Sequence, residues 1–261
     1  MFKRVGGKQF DLFEKFDPSD SLAREVISQL SRITDRGLTL ITVPGNHDEY
    51  TYKNSVYREN FNKWPGRLIT NPMPEHCFST SIGDFKIHVY SLAYTGGLTK
   101  PQEIQEYPRI HEDGLHLAIF HGSLDWDGLS DRSLPLYSSK LINANYDYIA
   151  LGHYHQYNTI KIGHALAVYP GAVEFKSFND EGTGKLTVIS WDGRKLEVER
   201  VEVDIRQFEK INIDISLIQD YSSLVNICKE YGDSNKMVQL SLTGTPRFKV
   251  DVEKLLDELY R

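Results

Sequence analysis

At 261 residues, with 40% hydrophobic and 25% charged side chains, the chain has an ordinary globular balance and the length for one large domain plus a smaller one. A net charge of -6 provides no global basic field, so contact with nucleic acid needs a local patch or a metal that neutralises phosphate. Cys77 and Cys228 are too few for a disulfide framework and lack metal-ligand spacing, and no apolar run approaches the roughly 18 residues of a membrane span.

The N-terminus "MFKRVGGKQF" has neither a signal-peptide apolar region nor a run that reads as a strand. The expectation is a cytoplasmic protein with no membrane contact. Asp20 or Ser21 is expected to cap a helix over 21–33, where Leu22, Val26, Ile27, Leu30 and Ile33 recur at helical spacing before a stop at Gly37. A strand over 38–43 follows, then a hairpin in "CFSTSIGDFKIHVYSLAY" that turns at Gly83 and Asp84. Residues 95–112 are rich in Pro, Gly and polar side chains and read as loop.

Two runs, 115–120 and 146–151, are apolar without alternation, as strands buried on both faces tend to be. In "KLTVISWDGRKLEVERVEV" the pair Asp192 and Gly193 predicts a hairpin with a type I′ turn. After Arg206 the texture becomes strand, helix, strand, turn, helix. That alternation suggests domains over 1–205 and 206–261, the second a small α/β unit.

Three apolar strands run into metal-competent residues: "ITVPGNHD" into Asn46, His47 and Asp48, "LAIFHGS" into His121, and "YIALGHYH" into His153 and His155. In layered α/β sheets the C-terminal strand ends share one crevice, so these residues can converge. Imidazole nitrogens with carboxylate and amide oxygens suit Mn²⁺, Fe²⁺ or Zn²⁺, and the lack of thiolates argues against a structural zinc site. Gly45 and Gly152 precede ligand candidates where the backbone must turn or approach closely. His153 and His155 share a face if extended, and in a turn they address one ion or two adjacent ones. His76, His88, His111, His116 and His164 read as ordinary core or surface histidines.

The blocks "GNHD", "FHGS" and "GHYH" resemble, in order and spacing, those of calcineurin-like metallophosphoesterases. The stretch "AVYPGAVEFKSFNDEGTGKLTVISWDG" is similar to part of the SbcD-type nucleases of double-strand-break repair, and the α/β unit after it is similar to their DNA-capping domain. The resemblance implies an α/β fold: a four-layer β-sandwich flanked by helices, with a small C-terminal α/β domain. It also implies a two-metal site that hydrolyses phosphate esters.

By resemblance Asp11, in "FDLFEKFDPSD", bridges two divalent ions, most often Mn²⁺, with Fe²⁺, Zn²⁺ or Mg²⁺ as alternatives. Asn46, His121 and His153 complete one site and His155 belongs to the second. Phe10 stands where the nucleases have Gly, and the family's N-terminal Asp-x-His does not occur here, so the second site reads as largely dismantled. His47 is the implied transition-state acid, while Asp48 either orients His47 or caps the following turn. The implied partners are DNA, a second copy of the chain and an ABC-type coiled-coil ATPase. The function expected is metal-dependent DNA exonuclease or endonuclease activity. The alternatives are a phosphomonoesterase, a cyclic-nucleotide phosphodiesterase, or a scaffold with an incomplete metal site.

Overall fold

A computed structural model describes residues 3–7, 11–96, 104–125, 133–173, 178, 184–203 and 207–260, with the backbone alone for 3–7 and 207. Phe10, 97–103 of the expected loop, and 174–177 and 179–183 of the nuclease-like stretch lie outside the described residues. The N-terminal part holds β1 (Lys3–Gly7), α1 (Asp20–Thr34), β2 (Ile41–Thr42), α2 (Val56–Glu59), β3 (Arg67–Leu68), β4 (Glu75–Ile82) and β5 (Phe85–Ser91). The middle adds β6 (Leu115–His121), β7 (Ser123–Leu124), β8 (Pro135–Leu136), α3 (Ser138–Ala144), β9 (Tyr148–Gly152), β10 (Tyr157–Ile162) and β11 (Ala165–Pro170). Then come β12 (Lys185–Trp191), β13 (Leu196–Glu202), β14 (Gln207–Asp214), α4 (Tyr221–Glu230), β15 (Lys236–Thr243) and α5 (Val252–Leu259).

The main sheet has the order β10-β11-β9-β6-β5-β4, parallel from β5 to β11 and antiparallel at both edges. β6 and β9 lie in its middle with both faces covered. Ala118, Phe120, Ile149 and Leu151 point into a core shared with Leu141 and Ala144 of α3. Their neighbours Leu115, Leu117 and Tyr148 pack on the other face with Ile189, Trp191, Leu196 and Val198 of the β12-β13 layer. Strands with two buried faces need apolar residues at every position, which is why these runs do not alternate. The fold is therefore mixed α/β, with a central β-sheet and helices.

Four sequence expectations are corrected by local physics. The helix cap is Ser19, whose hydroxyl accepts from the Leu22 amide at 3.3 Å, so α1 starts at Asp20 itself. A strand does precede Asp11: β1 pairs antiparallel with β12, Lys3 facing Trp191 and Gly7 facing Thr187, and this backbone pairing needs no apolar run. The strand over 38–43 shrinks to Ile41–Thr42, because it pairs with the equally short β3. β12 and β13 are joined by four residues, in which the Asp192 carboxylate accepts from the Arg194 and Lys195 amides (2.9 and 2.8 Å). Only Gly193 takes a positive φ there (97°), so the type I′ turn is replaced by an aspartate-bonded loop.

By compactness the chain divides into Met1–Ala172 with Lys185–Val201, and Val173–Gly184 with Glu202–Arg261. In the second unit β14 and β15 run parallel, α4 and α5 follow them, and Leu224, Val225, Cys228 and Leu255 form the core. Asp220 and Asp251 cap the two helices through the Ser223 and Lys254 amides. Among the described residues no helix is long and apolar enough to cross a membrane.

Candidate metal centre

β6 and β9 are parallel neighbours with His121 in register with Gly152. His121 and the next residue after β9, His153, therefore leave the sheet side by side, their rings edge to face at 5.5 Å. The loop after β2 is drawn to the same sheet end by the Tyr94 amide, which donates to the Pro44 carbonyl at 3.3 Å. Asn46 becomes the hub: its Oδ1 lies 2.9 Å from His121 Nε2 and 3.0 Å from His153 Nδ1. Asp11 Oδ1 stands 3.6 Å from His121 Nε2 and accepts from the His47 amide at 3.1 Å. The His47 ring remains half exposed, with Nε2 4.0 Å from Asp11 Oδ2.

Close approach has backbone requirements. A Cβ at Gly45 would sit 2.7 Å from His121 Cε1 and closer still to the Asp11 carboxylate, so glycine alone fits between them. His153 adopts φ 108°, a region that L side chains rarely enter, and such strain clusters where geometry serves a site. His153→Gly and His153→Ala both remove the imidazole, but only glycine relieves the backbone. His153→Gly should therefore be the more stable variant by about 1–2 kcal/mol in urea unfolding.

Burial holds His121 down to about 4 and also lowers His153, so both rings are neutral near pH 7 and offer a lone pair. Asp48 is fully buried and takes neither role expected of it. One oxygen accepts from the Leu12 amide (2.6 Å), the Phe13 amide (3.2 Å) and the Tyr57 hydroxyl (2.7 Å), and the other from the Gly45 amide (2.8 Å). Burial, and then the nearby Asp11 carboxylate, raise its pKa to about 6.

Asn46, His121 and His153, with Asp11 beside His121, carry the donor chemistry that suits a borderline-to-hard divalent ion. Neighbouring donors about 2.1 Å from an ion are about 3.0–3.4 Å apart, close to the separations of 2.9, 3.0 and 3.6 Å found here. Among the described residues no group of three or more His, Cys, Asp or Glu side chains is placed to hold an ion; the side chains that converge do so on the Asn46 amide oxygen. His155 lies near enough for its charge to act on His121 and His153, but among the described residues it joins no such group.

Reading by motif misses the supports. Tyr169 accepts from the Leu124 amide (2.9 Å) and donates to the Gly122 carbonyl (2.8 Å), fixing the turn after His121. Tyr154 wedges edge-on between Tyr169 (4.9 Å) and His153 (5.3 Å). "AVYPGA" marks Tyr169 as part of a block but not its partners. The buried His88 and His116 are bonded to Ser79, Tyr90 and the carbonyls of Asp113 and Glu112.

Residues 19–190 match the calcineurin-like phosphoesterase superfamily domain. The chain belongs to the calcineurin-like phosphoesterase superfamily. Members of this superfamily are metal-dependent phosphoester hydrolases and generally use divalent ions. An uncharacterised metallophosphoesterase of Bacillus subtilis, YhaO, is 21% identical over 258 residues, covering 95% of this chain and 62% of that protein. The DNA double-strand break repair protein Mre11 of Methanosarcina mazei is 24% identical over 211 residues, covering 76% of this chain and 31% of that one. The chain thus spans less than two thirds of either relative. The crystal structure of TT1561 from Thermus thermophilus overlays with a TM-score of 0.39 at 14% identity, covering 69% of this chain and 80% of that one.

Proposed function

We propose that this calcineurin-like phosphoesterase is a metal-dependent DNA exonuclease or endonuclease of the SbcD type, acting in end processing and double-strand-break repair. The observation that carries the chemistry is the convergence of His121 and His153 on Asn46 Oδ1, with Asp11 beside them. DNA as substrate is supported by the likeness to an archaeal Mre11 over 76% of the chain. Within this reading the protein works in the cytoplasm with Mn²⁺, as a homodimer beside an ABC-type coiled-coil ATPase.

Divalent ions, when bound, supply Lewis-acid chemistry that activates water near neutral pH and offsets phosphate charge. The chain's own residues do the rest. Asp11, Asn46, His121 and His153 are the holding donors, and buried neutral imidazoles give up no proton on binding. The exposed His47 ring is free to meet a scissile phosphate and to give a proton to the leaving alkoxide. Its backbone amide is anchored on Asp11 and its Nε2 stands 4.0 Å from Asp11 Oδ2, so the ring lies beside the same carboxylate.

His47→Ala keeps that backbone bond and removes only the acid. Mn²⁺-dependent release of nucleotides from linear duplex DNA should fall about 100-fold or more in this variant, with melting unchanged. Equal activity in His47→Ala and wild type would refute the assignment. A second reading, a scaffold with one weak metal site, is favoured by a donor set centred on a neutral amide oxygen. Wild-type protein that binds Mn²⁺ but releases no nucleotides would support it.

A further inference from the structure

We propose that Asp48 and Tyr57 form a positioning unit that sets where Asp11 stands relative to Asn46 and His47. The inference rests on the metal site of the preceding reading, not on DNA as the substrate. Asp11 and Asn46 come from segments 35 residues apart in sequence, and β2, the strand that leads to Asn46, pairs among the described residues with β3 and not with the Asp11 segment. Two reciprocal straps join them instead. Asp48 accepts the amides of Leu12 and Phe13, the two residues directly after Asp11, while Asp11 accepts the amide of His47, the residue directly before Asp48.

Asp48 also turns its own loop, through the Gly45 amide, and Gly45 is the residue pressed between Asp11 and His121. Tyr57 anchors the strap from below. Its hydroxyl donates to the same Asp48 oxygen that takes Leu12 and Phe13, and its ring is fully buried edge-on to Trp64 (4.8 Å) and Phe13 (6.3 Å). A carboxylate has enough lone pairs for four donors, whereas an amide in its place would turn an NH₂ toward one of them. Among the described residues Asp48 bonds to no proposed metal donor atom; it acts through the backbone on both sides, the Leu12 and Phe13 amides next to Asp11 and the Gly45 amide next to Asn46.

Tyr57→Phe removes one O–H and keeps the ring, and Asp48→Asn keeps the shape. Trp64→Phe serves as the control, because it breaks the Trp64 Nε1 to Thr42 bond (2.9 Å) in the same aromatic cluster without touching the carboxylate. Mn²⁺ affinity is read by calorimetry at a temperature where each variant is folded. Tyr57→Phe should weaken it about tenfold and Asp48→Asn about 10–100-fold, the range for groups that orient metal ligands. Trp64→Phe should lower the melting temperature and leave the affinity unchanged.

Wild-type affinity in both folded variants, an equal loss in Trp64→Phe, or no Mn²⁺ binding by the wild type would each overturn the proposal. Where Asp48→Asn does not fold, Tyr57→Phe decides alone. If the wild type binds Mn²⁺ and leaves DNA intact, the nuclease reading fails while the affinity comparison still decides this one.

Discussion

Asn46→Ala is expected to reduce divalent-ion affinity by about 100-fold or more. Asn46 Oδ1 lies within 3.0 Å of both His121 Nε2 and His153 Nδ1. Its removal takes away the oxygen that both imidazoles face. Outer groups that merely orient ligands already cost about 10–100-fold, and a donor at the centre of the set costs more. Calorimetric titration with Mn²⁺ checks this. Stability should fall by only about 1–2 kcal/mol, because the hydrogen bonds lost are few.

Asp48→Ala is expected to cost folding stability as well as metal affinity, with a loss of about 3–5 kcal/mol in unfolding free energy. The change strands three backbone amides and the Tyr57 hydroxyl in a fully buried pocket, and unsatisfied buried donors are among the few causes of losses this large. For a domain of this size such a loss lowers the melting temperature by about 8–15 °C. Thermal unfolding followed by circular dichroism measures it. A drop under about 2 °C would mean that water replaces the carboxylate and that the strap contributes little.

The parts of the fold legible in the sequence are those whose cause is local or periodic. β6 and β9 stand out because burial on both faces suppresses alternation, and Gly83 marks its hairpin because it alone takes a positive φ there (62°). The convergence of His121 and His153 is legible through one rule, that parallel strand ends share a crevice, whereas Asn46 follows a strand of a separate two-stranded sheet and is drawn in by the Tyr94 amide on the Pro44 carbonyl. What stays hidden depends on pairing across the chain. β1 exists through backbone bonds to β12, which no residue in "KRVGG" announces.

Asp48 shows the same limit inside the site. From its position after His47 it reads as a partner of that histidine or a local cap. Its donors instead come from Leu12, Phe13, Gly45 and Tyr57, three of them beyond the reach of local turn rules. Fold class and the candidate donors are therefore suggested by strand ends, whereas the residues that hold those side chains still are readable only in three dimensions.

Hydrolysis of a chromogenic phosphodiester after removal and return of metal tests the central claim most directly. The wild type should lose activity in EDTA and regain it with Mn²⁺, while Asn46→Ala should regain none. Activity that survives chelation, or a return of wild-type rates in Asn46→Ala, would contradict a metal centre built on Asp11, Asn46, His121 and His153.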